Sequence, residues 1–127
     1  MEETDVRRLV ERYRDGWFDH DLEAIMAVVA DDIVLQNVTA GERVEGKEAF
    51  REHVAAIFEE RWPDISLTEH ALYVADDTGL SEWTARATDR EGRRIEWDGI
   101  DVINCRDGLI VRNAAYSSGA TPRVLGP

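Results

Sequence analysis

Ile95-Glu96-Trp97-Asp98-Gly99-Ile100-Asp101-Val102-Ile103-Asn104-Cys105 reads as one long strand. Side chains alternate between the two faces of a strand. One face therefore carries Ile95, Trp97, Gly99, Asp101, Ile103 and Cys105, an apolar set broken only by Asp101. The other carries Glu96, Asp98, Ile100 and Val102. A carboxyl group on an apolar face is costly unless it is paired, hydrogen-bonded or protonated. Two readings of Asp101 follow. It is a neutral acid that donates to a ligand oxygen, or a structural carboxylate satisfied by backbone or an arginine.

Downstream, Arg106-Asp107-Gly108 is a hairpin signal, and Leu109 to Ser118 reads as the last strand. Upstream, Ile65 to Ala75 and Leu80 to Thr88 read as strands, with turns at Asp76-Asp77-Thr78-Gly79 and around Glu91-Gly92. Trp83 and Arg86 fall on opposite faces of their strand. A slip of one residue at Glu91-Gly92 would exchange those faces, and Arg86 is expected outward.

The first half is helical. Val6, Leu9, Val10, Tyr13 and Trp17 recur at helical spacing over Thr4 to Phe18. Asp21 is placed to cap a short second helix carrying Leu22, Ile25, Met26 and Val29. Ile33 to Val38 is β-rich, and a loop with Gly41 and Gly46 follows. A third helix aligns Phe50, His53, Val54, Ile57 and Phe58, and Pro63 ends it. Helices first and a meander of long strands after predict an α+β fold, a single domain over residues 1–127 with a loose tail from about 119. Strong curvature would leave an apolar pocket between the sheet and about three helices.

A chain of 127 residues supports one hydrophobic core. A formal charge of −12 argues against nucleic acid and anionic membrane surfaces as partners. Cys105 is the only cysteine, so no intrachain disulfide forms, and it reads as a small buried hydrophobe. The start Met1-Glu2-Glu3 is unlike a secretory signal and no apolar run reaches membrane-spanning length; a cytoplasmic location is expected. His20, His53 and His70 are scattered, with no HxxxH or CxxC spacing, so no metal is expected.

Glu11-Arg12-Tyr13, then Asp21-Leu22-Glu23-Ala24-Ile25, then Ala30-Asp31-Asp32 resemble the opening of bacterial ketosteroid isomerases. Gly99-Ile100-Asp101-Val102 and Arg106-Asp107-Gly108-Leu109-Ile110-Val111 resemble the terminal strands of SnoaL-like polyketide cyclases, and Ala115-Tyr116-Ser117-Ser118 resembles the isomerase ending. The order resembles the nuclear transport factor two-like superfamily over nearly the whole chain. That resemblance implies a cone-shaped sheet, antiparallel with a mixed portion, wrapped on the helices. In ketosteroid isomerases a tyrosine and a protonated aspartic acid hold a developing oxyanion while a second aspartate moves the proton. Those positions fall on Tyr13, Asp101 and Asn37, and supporting tyrosines fall on Val29 and Val54. An amide has no basicity near neutral pH, so Asn37 cannot serve as that base. Limonene-epoxide-hydrolase-like members use an Asp-Arg-Asp set; its arginine falls on Gly99 and its last aspartate on Ala115, leaving Asp101. The acid of SnoaL-like cyclases falls near Ser117-Ser118.

The resemblance turns Tyr13, Asn37, Trp97, Gly99, Asp101, Asn113, Ala115 and Ser117 toward the pocket, with Val29 and Val54 beside them. Gly99 is read as leaving room for a ligand, or as a bend in a curved sheet. Tyr13 is read as a donor, or as a core tyrosine with its hydroxyl at the rim. His53 is read as a replacement base, or as a satisfied core histidine. The expected function is a cofactor-free enzyme moving a proton next to a carbonyl of a hydrophobic molecule, with Asp101 and Tyr13 as donors to the substrate oxygen. The alternatives are a binding domain that has lost its base, an epoxide-hydrolase-like enzyme, and an interaction domain. A homodimer is expected, with the face of Glu96, Asp98, Ile100 and Val102 available to it.

Overall fold

A computed structural model describes residues 1–126. Helix α1 spans Glu3–Phe18 and buries Val6, Leu9, Val10 and Tyr13, the stripe marked by its helical spacing. Asp21 accepts the Ala24 N–H at 3.0 Å and starts α2, Leu22–Met26. The predicted second helix stops short of Val29. That residue instead opens strand β1, Val29–Asn37, where it pairs in parallel with Ile110. β-branched Val28 and Val29 gain more on a half-buried sheet than on a further helical turn.

The expected loop after β1 contains a second strand, β2 at Glu42–Glu45, antiparallel to β1. Helix α3 covers Lys47–Ala56 and continues as a π-helical turn over Ile57–Arg61, just before Pro63. Four long strands follow: β3 Ser66–Ala75, β4 Thr78–Thr88, β5 Arg94–Arg106 and β6 Leu109–Ser117. The turns match their residues. Asp107 and Gly108 both take positive φ (52° and 81°), the geometry of a two-residue hairpin turn.

The sheet order is β2-β1-β6-β5-β4-β3, antiparallel except where β1 runs parallel to β6. The fold is α+β with a mixed, curved, unclosed sheet. A register shift between Glu69 and Ala71 inserts His70 as a bulge in β3. Such a bulge adds local bend and twist. The main core lies between α1, α2, α3 and the sheet and includes Val6, Val10, Ile25, Phe50, Val54 and Ile110, all fully buried. Close approach fixes α1 on the sheet at Gly79, where a Cβ would come within 2.8 Å of Val10.

The tail expected to hang loose is tied down. Strand β7, Arg123–Val124, pairs with Ile95 and Glu96 at the start of β5. β6 pairs along β5 only as far as Gly99, so that start would otherwise be a bare edge. Arg123 donates to Glu96 and Asp98 at 2.7–3.1 Å.

Candidate active site

Between the concave face and the helices lies a cavity of about 520 Å³, within the range that holds a drug-sized ligand. Register places its polar residues in rows. Ser81, Asp101, Ala115 and Asn37 are successive cross-strand partners over β4, β5, β6 and β1. Trp83, Gly99 and Ser117 form the next row. Ile103, Asn113 and Leu35 form the row on the other side. Tyr13, Asn37, His53, Trp97, Asp101, Asn113, Ala115 and Ser117 all border the cavity.

Three expected pocket residues are elsewhere. Val29 and Val54 are sealed in the main core, at 1% and 0% exposure, because β1 and α3 press them against each other's layers. Gly99 leaves no room for a ligand. The Trp83 indole fills that space, and a Cβ on Gly99 would meet its ring at 2.3 Å. Trp83 is therefore the inward residue of its strand. Arg86 faces outward and binds Glu96 at 2.6 Å.

All four tryptophans of the chain, Trp17, Trp62, Trp83 and Trp97, line the cavity. Trp62 and Trp97 lie 5.2 Å apart, and Trp17 packs edge-on against both Tyr13 and Phe58. Flat aromatic walls suit a flat apolar ligand. Trp17 and Trp62 were not among the residues singled out from sequence. The signal was present: Trp17 sits on the apolar stripe of α1, and Trp62 stands between the third helix and Pro63.

Asp101 borders the cavity and is half-buried. Burial pushes its pKa up to about 7, against the lowering effect of the Trp83 indole N–H and the Asn113 amide. The Tyr13 hydroxyl, expected to reach a ligand oxygen, donates instead to Asn113 Oδ1 at 2.8 Å. Burial raises Tyr13 well above the usual phenol range; the Trp17 N–H opposes this, and the Asp101 charge adds to it. Trp17 Nε1, Trp83 Nε1 and Asn113 Nδ2 are buried without a hydrogen-bond partner among the described residues. One hydrogen bond, Tyr13 to Asn113, is formed in this cluster, with the unpaired N–H groups of Trp17, Trp83 and Asn113 around it.

Further out, Ser81 Oγ donates to Glu69 at 2.7 Å, and Glu69 holds Arg14 at 2.9 Å. Asn37 Oδ1 accepts the Ala40 N–H at 3.1 Å. His53 is half-buried; burial lowers its pKa, with Glu42 opposing and Arg61 adding to the shift. His20 is not a free loop residue. Its Nε2 lies 2.7 Å from the Ile65 carbonyl oxygen and its ring stacks on Phe58. His70 faces outward and contacts Thr84 Oγ1 at 2.7 Å. The tail closes one side, with Gly119, Ala120 and Pro122 against the cavity. Among the described residues no cluster of three or more His, Cys, Asp or Glu is placed to hold a metal. Among the described residues no helix is long and apolar enough to cross a membrane.

A family model described as the SnoaL-like domain matches residues 10–113. No curated protein matches the chain significantly. Solved structures do. One is a proposed ketosteroid isomerase of Kribbella flavida, with TM-score 0.79 and 19% identity over 98% of this chain and 83% of that one. Another is a limonene-epoxide-hydrolase-like (LEH-like) epoxide hydrolase of M. tuberculosis, with TM-score 0.80 and 21% identity over 94% of this chain and 87% of that one. A third is a proposed SnoaL-like polyketide cyclase of Jannaschia, with TM-score 0.81 and 15% identity over 93% and 88% of the two chains. At these identities the likeness establishes the fold, and one fold hosts many chemistries.

Proposed function

The chain belongs to the SnoaL-like domain family, and from that premise we propose that it is an enzyme acting on a hydrophobic small molecule by proton transfer next to a carbonyl. Isomerisation, cyclisation and dehydration all begin with that step. The observation that carries this reading is Asp101: a half-buried carboxyl of pKa about 7 on the wall of an aromatic cavity. A group titrating near the working pH is the most effective proton carrier, and typically contributes about 10²–10⁴-fold in rate. The low dielectric around it strengthens every interaction with developing charge. Tyr13 holds Asn113, which borders the same cavity as Asp101. His53, whose pKa burial lowers, is the other proton carrier on the wall.

One observation favours a second reading, a ligand-binding domain without catalysis: Asn37 stands where the related isomerases place their base. Deuterium exchange separates the two. The probe is 2-tetralone, a flat ketone with acidic benzylic α-hydrogens. Wild type is expected to speed exchange at that position, and Asp101→Asn to lose about 10²-fold or more. Quenching of the cavity tryptophans reports binding independently. Binding with exchange at the buffer rate would leave the binding-domain reading and sink the enzymatic one.

A further inference from the structure

Building on that reading, we propose that the site runs with reversed polarity: Asp101 is the base that takes the α-proton, and Asn37 is the donor that holds the carbonyl oxygen.

The groups around Asp101 favour its ionised form over a neutral donor. The Asn113 amide and the Trp83 indole lie close enough to its carboxyl to favour the charged form, and both of their buried N–H groups are without a hydrogen-bond partner among the described residues. Tyr13 has spent its only proton on Asn113. A carboxyl with two unpaired N–H groups near it is favoured in its charged form. A ligand oxygen placed beside it would not receive the tyrosine proton, which is committed to Asn113. Asn113 is a positioning residue in this scheme, linking Tyr13 to Asp101.

At Asn37 the Ala40 N–H holds the side-chain carbonyl oxygen, which fixes the amide plane. Its Nδ2 makes no hydrogen bond among the described residues and the side chain borders the cavity. Asn37 and Asp101 flank Ala115 in one row, two strand spacings or roughly 10 Å apart. That span fits a hydrogen bond, a carbonyl with its α-carbon, and a near-attack contact in line. The small side chain of Ala115 leaves the space between them open.

The step balances within the substrate and these two residues. The Asp101 carboxylate forms an O–H bond with the α-hydrogen. The C–H electron pair becomes the carbon–carbon π bond of the enolate, and the carbonyl π pair moves onto oxygen, where the Asn37 N–H meets it. Asp101 then returns the proton to the α-carbon, or to the γ-carbon of an unsaturated ketone.

The charged and titratable groups facing this site from other elements are few. Tyr13 and Arg14 come from α1, Glu69 from β3, His53 from α3, Arg61 from the turn after it, and Asp89 from the loop after β4. Arg14 pairs with Glu69, Arg61 with Glu42 and Asp89 with Arg93.

The pH profile of 2-tetralone exchange is the primary test. With Asp101 as base, the rate rises with pH and levels off above about 7. With Asp101 as a neutral donor it falls over the same range, which would overturn the proposal. Asn37→Ala is expected to slow exchange about 10²–10³-fold. Asn37→Asp is expected to slow it as well, since a carboxylate repels the oxyanion. An Asn37→Asp variant faster than wild type would restore the usual polarity and overturn the proposal while leaving proton transfer intact. His53→Gln should keep the pH midpoint; its disappearance would assign the base to His53. Wild type exchanging no faster than buffer would overturn this proposal together with the enzymatic reading. Should a variant fail to fold, the wild-type pH profile decides alone.

Discussion

At Asp101 the unfolded chain ionises near pH 4, while the folded chain holds its proton until about 7. Between those values the native state binds the extra proton, so its stability falls as pH rises through this window. Below pH 4 the contribution is whole; above about 7 it is lost, on the order of 4 kcal/mol at most. Asp101→Asn removes the charge and keeps the shape. Its melting temperature is therefore expected to exceed that of wild type at pH 8 and to converge with it below pH 5. Thermal unfolding followed by circular dichroism across this range checks it, and parallel curves would mean the carboxyl is not desolvated. The anomaly at Asp101 was legible in the sequence because strand alternation is local. Its neighbours were not. Trp83 turned inward through a register that the residues around Glu91-Gly92 leave open, and it then made Gly99 a packing requirement rather than a vacancy.

Among the elements, α1 and the four long strands were legible from apolar period and turn residues. The misread elements are those whose partners lie far off in sequence. β2 carries Glu42, Arg43, Val44 and Glu45, a charged stretch that becomes a strand only because β1 offers an edge. β7 is two residues in a Gly- and Pro-containing tail, and the protruding start of β5 holds it there. This strap passes Gly119, Ala120 and Pro122 over the cavity and ends on Arg123, which clamps Glu96 and Asp98. Arg123→Ala should loosen the cover. Stopped-flow quenching of tryptophan by 2-tetralone is expected to show dissociation several-fold faster, with the pH midpoint of exchange unmoved. An unchanged dissociation rate would mean that ligand passes by another route.

For the molecule as a whole, the outer face of the sheet pairs Ile100 with Tyr116 across β5 and β6, exposed by 38% and 46%. We propose this face as the seat of a second copy. Light scattering at micromolar concentration is expected to give a dimer mass, and Ile100→Lys to give a monomer. A wild-type monomer at that concentration would refute it. The sequence by itself determined the helical first half, the strand meander, the tight turns and the odd carboxyl at Asp101, because helical period, strand alternation and turn preferences act over a few residues. Only the tertiary structure decided which side of each long strand faces the helices, that four distant tryptophans share one cavity, and that the Tyr13 proton goes to Asn113, one hundred residues away. Those outcomes depend on register and packing between segments remote in sequence, where a shift of one residue exchanges every side chain between core and solvent.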